Sequence, residues 1–167
     1  MKILFVTLGT ERVAASRYRV YQYLPYLAGQ GIGCMVVSII SDFATRLAIG
    51  SPEFGPMKRF LYYIYVFFER FFRFWMVFFI AGRYDIVFLQ RATFPFGLAG
   101  LVARANNKVI FDIDDAIFLP DTSSDDIVTR LKGVIKDREL ADVLKASRCI
   151  VVENDYIKEY VSKYCGN

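Results

Sequence analysis

Histidine is absent from this chain of 167 residues, and cysteine and tryptophan are scarce. The missing imidazole excludes, within these residues, catalytic triads with a histidine base and zinc sites with histidine ligands. The three cysteines, Cys34, Cys149 and Cys165, are odd in number and are not spaced as metal-binding pairs. We therefore expect reduced thiols that pack as small apolar side chains in a cytosolic compartment.

The net charge of the chain is also small. The formal net charge is only +4, and lysine and arginine form no run. Nucleic-acid binding depends on a clustered basic patch, so nucleic acid is excluded as a partner. Near the start, Gly9, Glu11 and Arg12 interrupt the first apolar run before it reaches the length of a signal peptide. The run is better explained as a strand.

Apolar and aromatic residues are plentiful, at 55% and 17% of the chain, which gives a core large enough to offset the entropy of ordering. Strand and helix patterns alternate throughout. The predicted strands are 2–7, 34–40, 86–90, 108–113 and 149–153. The predicted helices are 16–30, which Pro25 should kink or break, 57–82, 96–105, a stretch through about 146 and 156–164. A polar loop over 121–126 can cap the fourth helix, and Gly166 follows the last one. This alternation predicts an α/β fold, a Rossmann-like doubly wound parallel sheet of about five or more strands.

The predicted helix over 57–82 is long, aromatic and amphipathic. It could span a bilayer by length, but Glu69, Arg70 and Arg73 lie at its centre, where charges are costly. Its charged residues fall on one stripe, and aromatic rings fill the remaining arc. We expect the helix to lie in a membrane interface, with its cations toward the headgroups. The predicted membrane-contact residues are Phe67, Phe68, Phe71, Phe72, Trp75 and Phe78.

Protein packing is the alternative for the same helix. An aromatic arc this wide would also fit between the sheet and a partner domain or subunit. The sequence alone does not choose between lipid and protein.

Several candidate site residues follow predicted strands, where open α/β sheets bind ligands. The loop after the first strand has the single glycine Gly9, so it does not match the glycine-rich pyrophosphate cradle. Arg17 and Arg19 stand at the predicted start of a helix capped by Ser16. Cations are unfavourable there, which suggests that they meet an anion such as phosphate, or else form a solvated surface pair. Arg91 follows the third strand.

Three carboxylates close the fourth strand: Asp112, Asp114 and Asp115. Because they close a hydrophobic strand, we expect some of them to pair with arginine, accept backbone hydrogen bonds or coordinate a cation. Asp112 and Asp114 also fit the Asp-x-Asp frame of haloacid dehalogenase phosphatases, as nucleophile and acid/base. Ala116 replaces that motif's Thr or Val, and little chain follows for the later motifs, so a phosphatase ranks third among the functions considered.

The ordered set of motifs resembles the N-terminal domain of group 1 glycosyltransferases, the retaining family with the GT-B fold. The matching stretches are KILFVT with its glycine loop, ASRYRVYQYLPYLAGQGI, YDIVFLQRA, KVIFDIDDAIF and ASRCIVVENDYIKEYVSKYCGN. The resemblance implies that residues 1–167 bind the acceptor, whereas the nucleotide-sugar donor binds a C-terminal domain absent from this chain. The Glu-x7-Glu pattern of that donor domain is not found here.

The same resemblance implies a function and a place. We expect the acceptor-binding half of a glycosyltransferase, inactive alone, that acts on a lipid-linked or surface-polysaccharide acceptor at the cytoplasmic face of a membrane. It would hold no tightly bound cofactor or metal and would need a donor domain or partner chain. A non-catalytic Rossmann-like interaction module is the alternative. The implied substrate-binding residues are Gly9, Arg17, Arg19, Arg91, Asp112, Asp114, Asp115 and Asn154.

Overall fold

Five parallel strands form one sheet in the computed structural model of the chain, which describes residues 1–49, 55–116 and 127–164. The strands are β1 (Lys2–Thr7), β2 (Gly33–Ser38), β3 (Ile86–Gln90), β4 (Val109–Ile113) and β5 (Cys149–Val152). The helices are α1 (Ala14–Arg19), α2 (Leu24–Gly29), α3 (Asp42–Ile49), α4 (Pro56–Ala81), α5 (Ala99–Ala105), α6 (Ile127–Ala146) and α7 (Asp155–Ser162). This architecture confirms the predicted Rossmann-like α/β fold.

The order of strands across the sheet is β2-β1-β3-β4-β5. The chain therefore leaves β1 toward one side of the sheet and returns to β3 on the other side. Loops diverge between the carboxyl ends of such a strand pair, and ligands of open α/β sheets bind there. Register aligns Thr7 with Gln90, and Gln90 with Asp112. Polar side chains from three adjacent strands thus reach the same edge.

Alternate side chains of a strand face opposite sides of the sheet, and each side of this sheet has its own core. On β1, Leu4 and Val6 join a large core that includes buried side chains of α4, α5, α6 and α7. Their neighbours Ile3 and Phe5 face α1 and α2 and pack with Val20. Helices therefore lie on both faces, as a doubly wound sheet requires.

The face that carries α1 and α2 is covered only in part. These helices pack over β2, β1 and β3. Farther along the same face, Cys149 and Val151 of β5 are exposed. The open strip of sheet beside α1 forms one wall of the cleft described below.

The helix predicted over 16–30, with a kink or a break at Pro25, is interrupted earlier, at Val20. The chain instead forms α1, a short 3-10 helix over Tyr21–Tyr23, and α2, in which Pro25 occupies the first turn. Proline is well accommodated there because the first turn needs no N–H from it. Ser16 caps nothing: it is buried inside α1, whose N-cap residue is Val13.

The helix start predicted for Arg17 and Arg19 is wrong for the same reason. Both residues lie in the last turn of α1, where the helix dipole favours cations. The dipole argument for an anion at this point therefore fails. Any ligand role for either arginine has to rest on its contacts.

Other differences are local. The sequence analysis did not predict α3, although Ser41 precedes it and its Oγ accepts a hydrogen bond from Ala44 N at 3.2 Å, a typical helix cap. β2 ends at Ser38, two residues before the predicted end. The predicted polar cap over 121–126 and the C-terminal glycine, Gly166, lie outside the described residues.

Candidate functional site

A buried polar network holds the loop after β1 against α1. Thr7 Oγ1 donates a hydrogen bond to Gly9 O at 2.7 Å, and Gly9 N donates one to Ser16 Oγ at 3.4 Å. Ser16 Oγ in turn donates to Gln90 Oε1 at 3.0 Å. Thr7, Ser16 and Gln90 are fully buried, so these bonds form away from water, where leaving a partner unsatisfied is costly. The network fixes the edge of the sheet between β1 and β3.

Gly9 has a steric role in this loop. A Cβ at this position would stand 2.4 Å from Cγ2 of Val13, the residue that begins α1. Only glycine allows the strand end and the helix start to approach so closely. Its predicted contact with a substrate stays a prediction.

Arg19 and Asp112 form a bidentate ion pair at the carboxyl end of β4. Arg19 Nε donates to Asp112 Oδ2 at 3.0 Å, and an Nη atom donates to Oδ1. Asp112 is buried, so its charge depends on this guanidinium. The hydrogen bond to Asp112 raises the pKa of Arg19 against the opposing effect of desolvation. The Coulomb attraction of Asp112, Asp114 and Glu153 raises it further.

Arg91 meets the other two carboxylates of the predicted cluster. Its Nε lies 3.5 Å from Asp114 Oδ1, and an Nη atom lies 3.4 Å from Asp115 Oδ2. Its backbone φ is 52°, in the left-handed region that non-glycine residues rarely adopt. Asp114 Oδ1 is buried and makes no hydrogen bond within the described part of the chain. The sequence-predicted arginine and carboxylates are thus brought together, as pairs with one another.

A cleft of about 520 Å³ opens between α1, the following 3-10 helix and the carboxyl ends of β4 and β5. Tyr18 and Tyr23 are its outer aromatic walls, with exposed fractions of 59% and 51%. Its volume is within the range of small-molecule sites. The lining residues are Ala15, Tyr18, Arg19, Tyr23, Phe88, Asp112, Asp114, Val151 and Glu153.

The residues that line this cleft do not include five of the predicted site residues, namely Gly9, Arg17, Arg91, Asp115 and Asn154. Arg17 is exposed and its guanidinium lies over the ring of Tyr18, 5.1 Å from the centroid. Asn154 is the N-cap residue of α7, and its Oδ1 accepts from Ile157 N at 2.9 Å. That bond gives Asn154 a helix-capping role.

Sequence reasoning missed Tyr18, Tyr23 and Glu153 as cleft residues. Glu153 directly follows β5, so the rule that selected Arg91 also applies to it. The two tyrosines had no such signal. Tyr18 lies in α1 and Tyr23 in the 3-10 helix that follows it, and both are exposed.

A second polar network lies on the other face of the sheet. Arg70 of α4 donates to Thr93 O at 2.9 Å and Thr93 Oγ1 at 3.0 Å, and it pairs with Glu139 of α6. A smaller cleft of about 300 Å³ adjoins this network and is lined mainly by apolar side chains. The network anchors the middle of α4 to α6 and to the loop after β3.

This network overturns the predicted orientation of α4. The predicted orientation directs the cations of the helix toward lipid headgroups, yet Arg70 faces the protein interior, and Glu69 and Arg73 are half-buried. Part of the aromatic arc points outward, whereas Phe74 is fully buried. The large apolar side chains of α4 that are exposed are Met57, Phe60, Leu61, Tyr63, Ile64, Tyr65, Phe67, Phe68, Phe72 and Phe79.

The predicted membrane-contact residues divide into two groups. Phe67, Phe68 and Phe72 are exposed. The other three, at positions nearer the helix's inner side, are half-buried; these are Phe71, Trp75 and Phe78. The exposed rings of Phe67, Phe68 and Phe72 are therefore the ones that can contact a bilayer directly.

The outermost line of α4 consists of Leu61, Phe68, Phe72 and Phe79, which we call the aromatic ridge. Each helical residue turns by about 100°, so these four positions fall within about 40° of one another. They lie on the side of α4 opposite the buried residues Phe74, Val77 and Ala81. In the described ranges no helix is long and apolar enough to cross a membrane.

Phe96 extends this exposed aromatic surface from a different element. It lies in a 3-10 turn after β3, is 78% exposed, and its ring meets that of Phe67 edge-on at 5.7 Å. Its φ of 57° is a strained conformation for a bulky side chain. A strained backbone that presents a phenyl ring to the outside indicates a contact surface.

Comparisons of the chain with family models, curated proteins and solved structures each found no match. Function is therefore inferred from the site itself.

Proposed function

We propose that this chain is the acceptor-binding half of a glycosyltransferase that works at a membrane surface. It would position a lipid-linked or surface-polysaccharide acceptor for a sugar delivered from a nucleotide-sugar donor. One observation carries the proposal: a cleft of tyrosines and carboxylates at the ligand-binding edge of the sheet belongs to the same domain as a broad exposed aromatic surface.

The chemistry of the cleft suits a sugar ring. A pyranose presents hydroxyl groups around its edge and C–H groups on its faces. Ionised Asp114 and Glu153 accept hydrogen bonds from hydroxyls, and the rings of Tyr18 and Tyr23 offer flat apolar faces. Small-molecule sites are usually lined by apolar and aromatic side chains with a few polar groups among them.

The aromatic ridge supports a membrane location. An exposed apolar patch of this size is rare on a protein without a binding surface. Phenyl rings at a helix surface enter the boundary between headgroups and acyl chains, and Lys58 and Arg59 at the start of α4 are exposed beside them. Holding the cleft at the cytoplasmic leaflet would raise the local concentration of a lipid-borne acceptor.

Donor binding belongs to a second Rossmann-like unit in this proposal. The chain contributes acceptor contacts and no histidine base, so this half alone is not expected to complete transfer. A phosphatase of the haloacid dehalogenase type is disfavoured because both oxygens of Asp112, its would-be nucleophile, bind Arg19.

The runner-up is a non-catalytic module that docks on a protein through α4. The spacing of the aromatic ridge, in which Phe68 and Phe79 follow Leu61 and Phe72 by seven residues each, also suits a partner helix. A protein partner would bind this chain with fixed stoichiometry, whereas the amount of chain bound to vesicles would increase with the lipid surface area.

Vesicle binding with and without sugar headgroups tests the proposal. We expect the protein to bind phospholipid vesicles, and to bind about fivefold more tightly when they carry a glycolipid from a panel of hexose and hexosamine headgroups. Tyr23→Ala should remove the increment and leave plain vesicle binding. The matched control is Tyr26→Ala, an exposed tyrosine outside the cleft. A panel in which no headgroup strengthens binding would contradict acceptor recognition.

A further inference from the structure

The charges around the cleft are unbalanced toward the negative. Among the residues that line it, Arg19 supplies one positive charge, whereas Asp112, Asp114 and Glu153 supply three negative ones, a net charge of −2. The guanidinium of Arg19 already binds Asp112. A phosphate entering the cleft would therefore meet net repulsion. This differs from the sequence-based expectation that Arg17 and Arg19 meet an anion such as phosphate.

One acceptor atom in the cleft lacks a donor. Asp114 lines the cleft, and its Oδ1 is buried without a hydrogen-bond partner among the described residues. Arg91 Nε, 3.5 Å away, is likewise buried without a hydrogen-bond partner, so the two atoms form an ion pair that is too long for a hydrogen bond. The oxygen can therefore accept an N–H or O–H group from a ligand.

The aromatic walls add to the same preference. Tyr18 and Tyr23 line the cleft, and the quadrupole of a phenol ring attracts a cation. Carboxylates and tyrosine rings together are a typical environment for an organic ammonium group. No group of three or more Cys, Asp or Glu side chains in the described ranges is arranged to hold a metal ion, so the cleft offers a bare divalent cation no ligand set.

From these observations we propose that the cleft selects an amine-bearing sugar, with its ammonium group toward Asp114 and Glu153. The sugar part of this inference rests on the proposed acceptor function. The charge selection rests on the cleft alone. Neutral rings would make the hydroxyl and stacking contacts without the ionic one, and sugar phosphates would be excluded.

Four small probes separate the contributions in NMR titrations of the intact chain at mildly acidic pH. They are D-glucosamine, N-acetyl-D-glucosamine, D-glucose 6-phosphate and cyclohexylamine. We expect D-glucosamine to bind about fivefold to tenfold more tightly than its N-acetyl form, and the phosphate to bind least. The variant Asp114→Asn/Glu153→Gln should remove the preference, and Glu159→Gln, an exposed carboxylate of α7, should keep it.

Each other outcome overturns a defined part. Equal or tighter binding of the N-acetyl sugar or the phosphate would refute amine selection and leave the acceptor function standing. Cyclohexylamine binding as tightly as D-glucosamine would show a cation site without sugar recognition, which would refute the proposed function as well. A preference that survives the double variant would place the amine away from Asp114 and Glu153 and refute the assignment.

Discussion

Replacing Arg19 with methionine is expected to lower the free energy of unfolding by about 3 kcal/mol. Methionine keeps most of the apolar stem of arginine but removes both hydrogen bonds to Asp112. That carboxylate is 1% exposed, so it would remain buried with its charge uncompensated. Urea unfolding followed by circular dichroism measures the loss.

Two further variants separate this ion pair from general effects at α1. Arg17→Met changes an exposed neighbour in the same helical turn and should cost less than about 0.5 kcal/mol. The double variant Arg19→Met/Asp112→Asn should recover part of the loss, because the buried group is then neutral. Equal destabilisation by the two arginine variants would contradict the assigned role of the Arg19–Asp112 pair.

Removing two rings of the aromatic ridge is expected to weaken vesicle binding about 50-fold. Phe72 and Phe79 are each 68% exposed, so Phe72→Ser/Phe79→Ser should leave the core intact. Each ring that enters the acyl boundary contributes on the order of 1 kcal/mol or more, and two such losses multiply. Co-sedimentation with vesicles that contain anionic lipid gives the ratio of affinities.

The control for this variant removes aromatic surface elsewhere. Tyr26 and Tyr156 are 67% and 57% exposed on α2 and α7, so Tyr26→Ser/Tyr156→Ser deletes a comparable exposed area. We expect this control to bind vesicles as the parent does. A similar loss in both variants would mean that general surface hydrophobicity drives binding, and an unchanged Phe72→Ser/Phe79→Ser variant would favour a protein partner for α4.

The fold was predictable because its signal is local. The alternation of short apolar runs with helical segments identified a parallel sheet, and the predicted bounds of β1 and β3 match the structure. Topology then placed residues at the ends of strands on one edge. Asp112, Asp114 and Arg91 were identified as neighbours by that rule, before any contact was known.

The pairing within the site was not predictable in the same way. Arg19 and Asp112 are 93 residues apart, and no periodicity shows that both hydrogen bonds of the guanidinium go to that carboxylate. The sequence pattern predicts a helix that begins at Ser16, which would place Arg19 in its first turn and favour an anion beside it. Because α1 begins at Ala14 and ends at Arg19, the arginine lies in the last turn instead.

The sequence pattern could not predict the orientation of α4 either. A helix with a polar stripe and an aromatic arc satisfies amphipathicity whichever side faces the domain. The inner side is fixed by the buried Phe74, Val77 and Ala81 and by Glu139, which lies 69 residues beyond Arg70 and binds it with Thr93. Because Arg70 finds these partners inside the protein, many of the rings are left outside.

Fluorescence of the single tryptophan tests the membrane location most directly. Trp75 lies in α4, half-buried, with its ring 5.8 Å from that of Phe79 in the aromatic ridge. In a titration of the unmodified chain with vesicles that contain brominated lipids, we predict a blue shift and strong quenching of Trp75 as the surface saturates. Emission that stays unshifted and unquenched, in a chain whose circular dichroism shows it to be folded, would contradict the account and assign α4 to a protein interface.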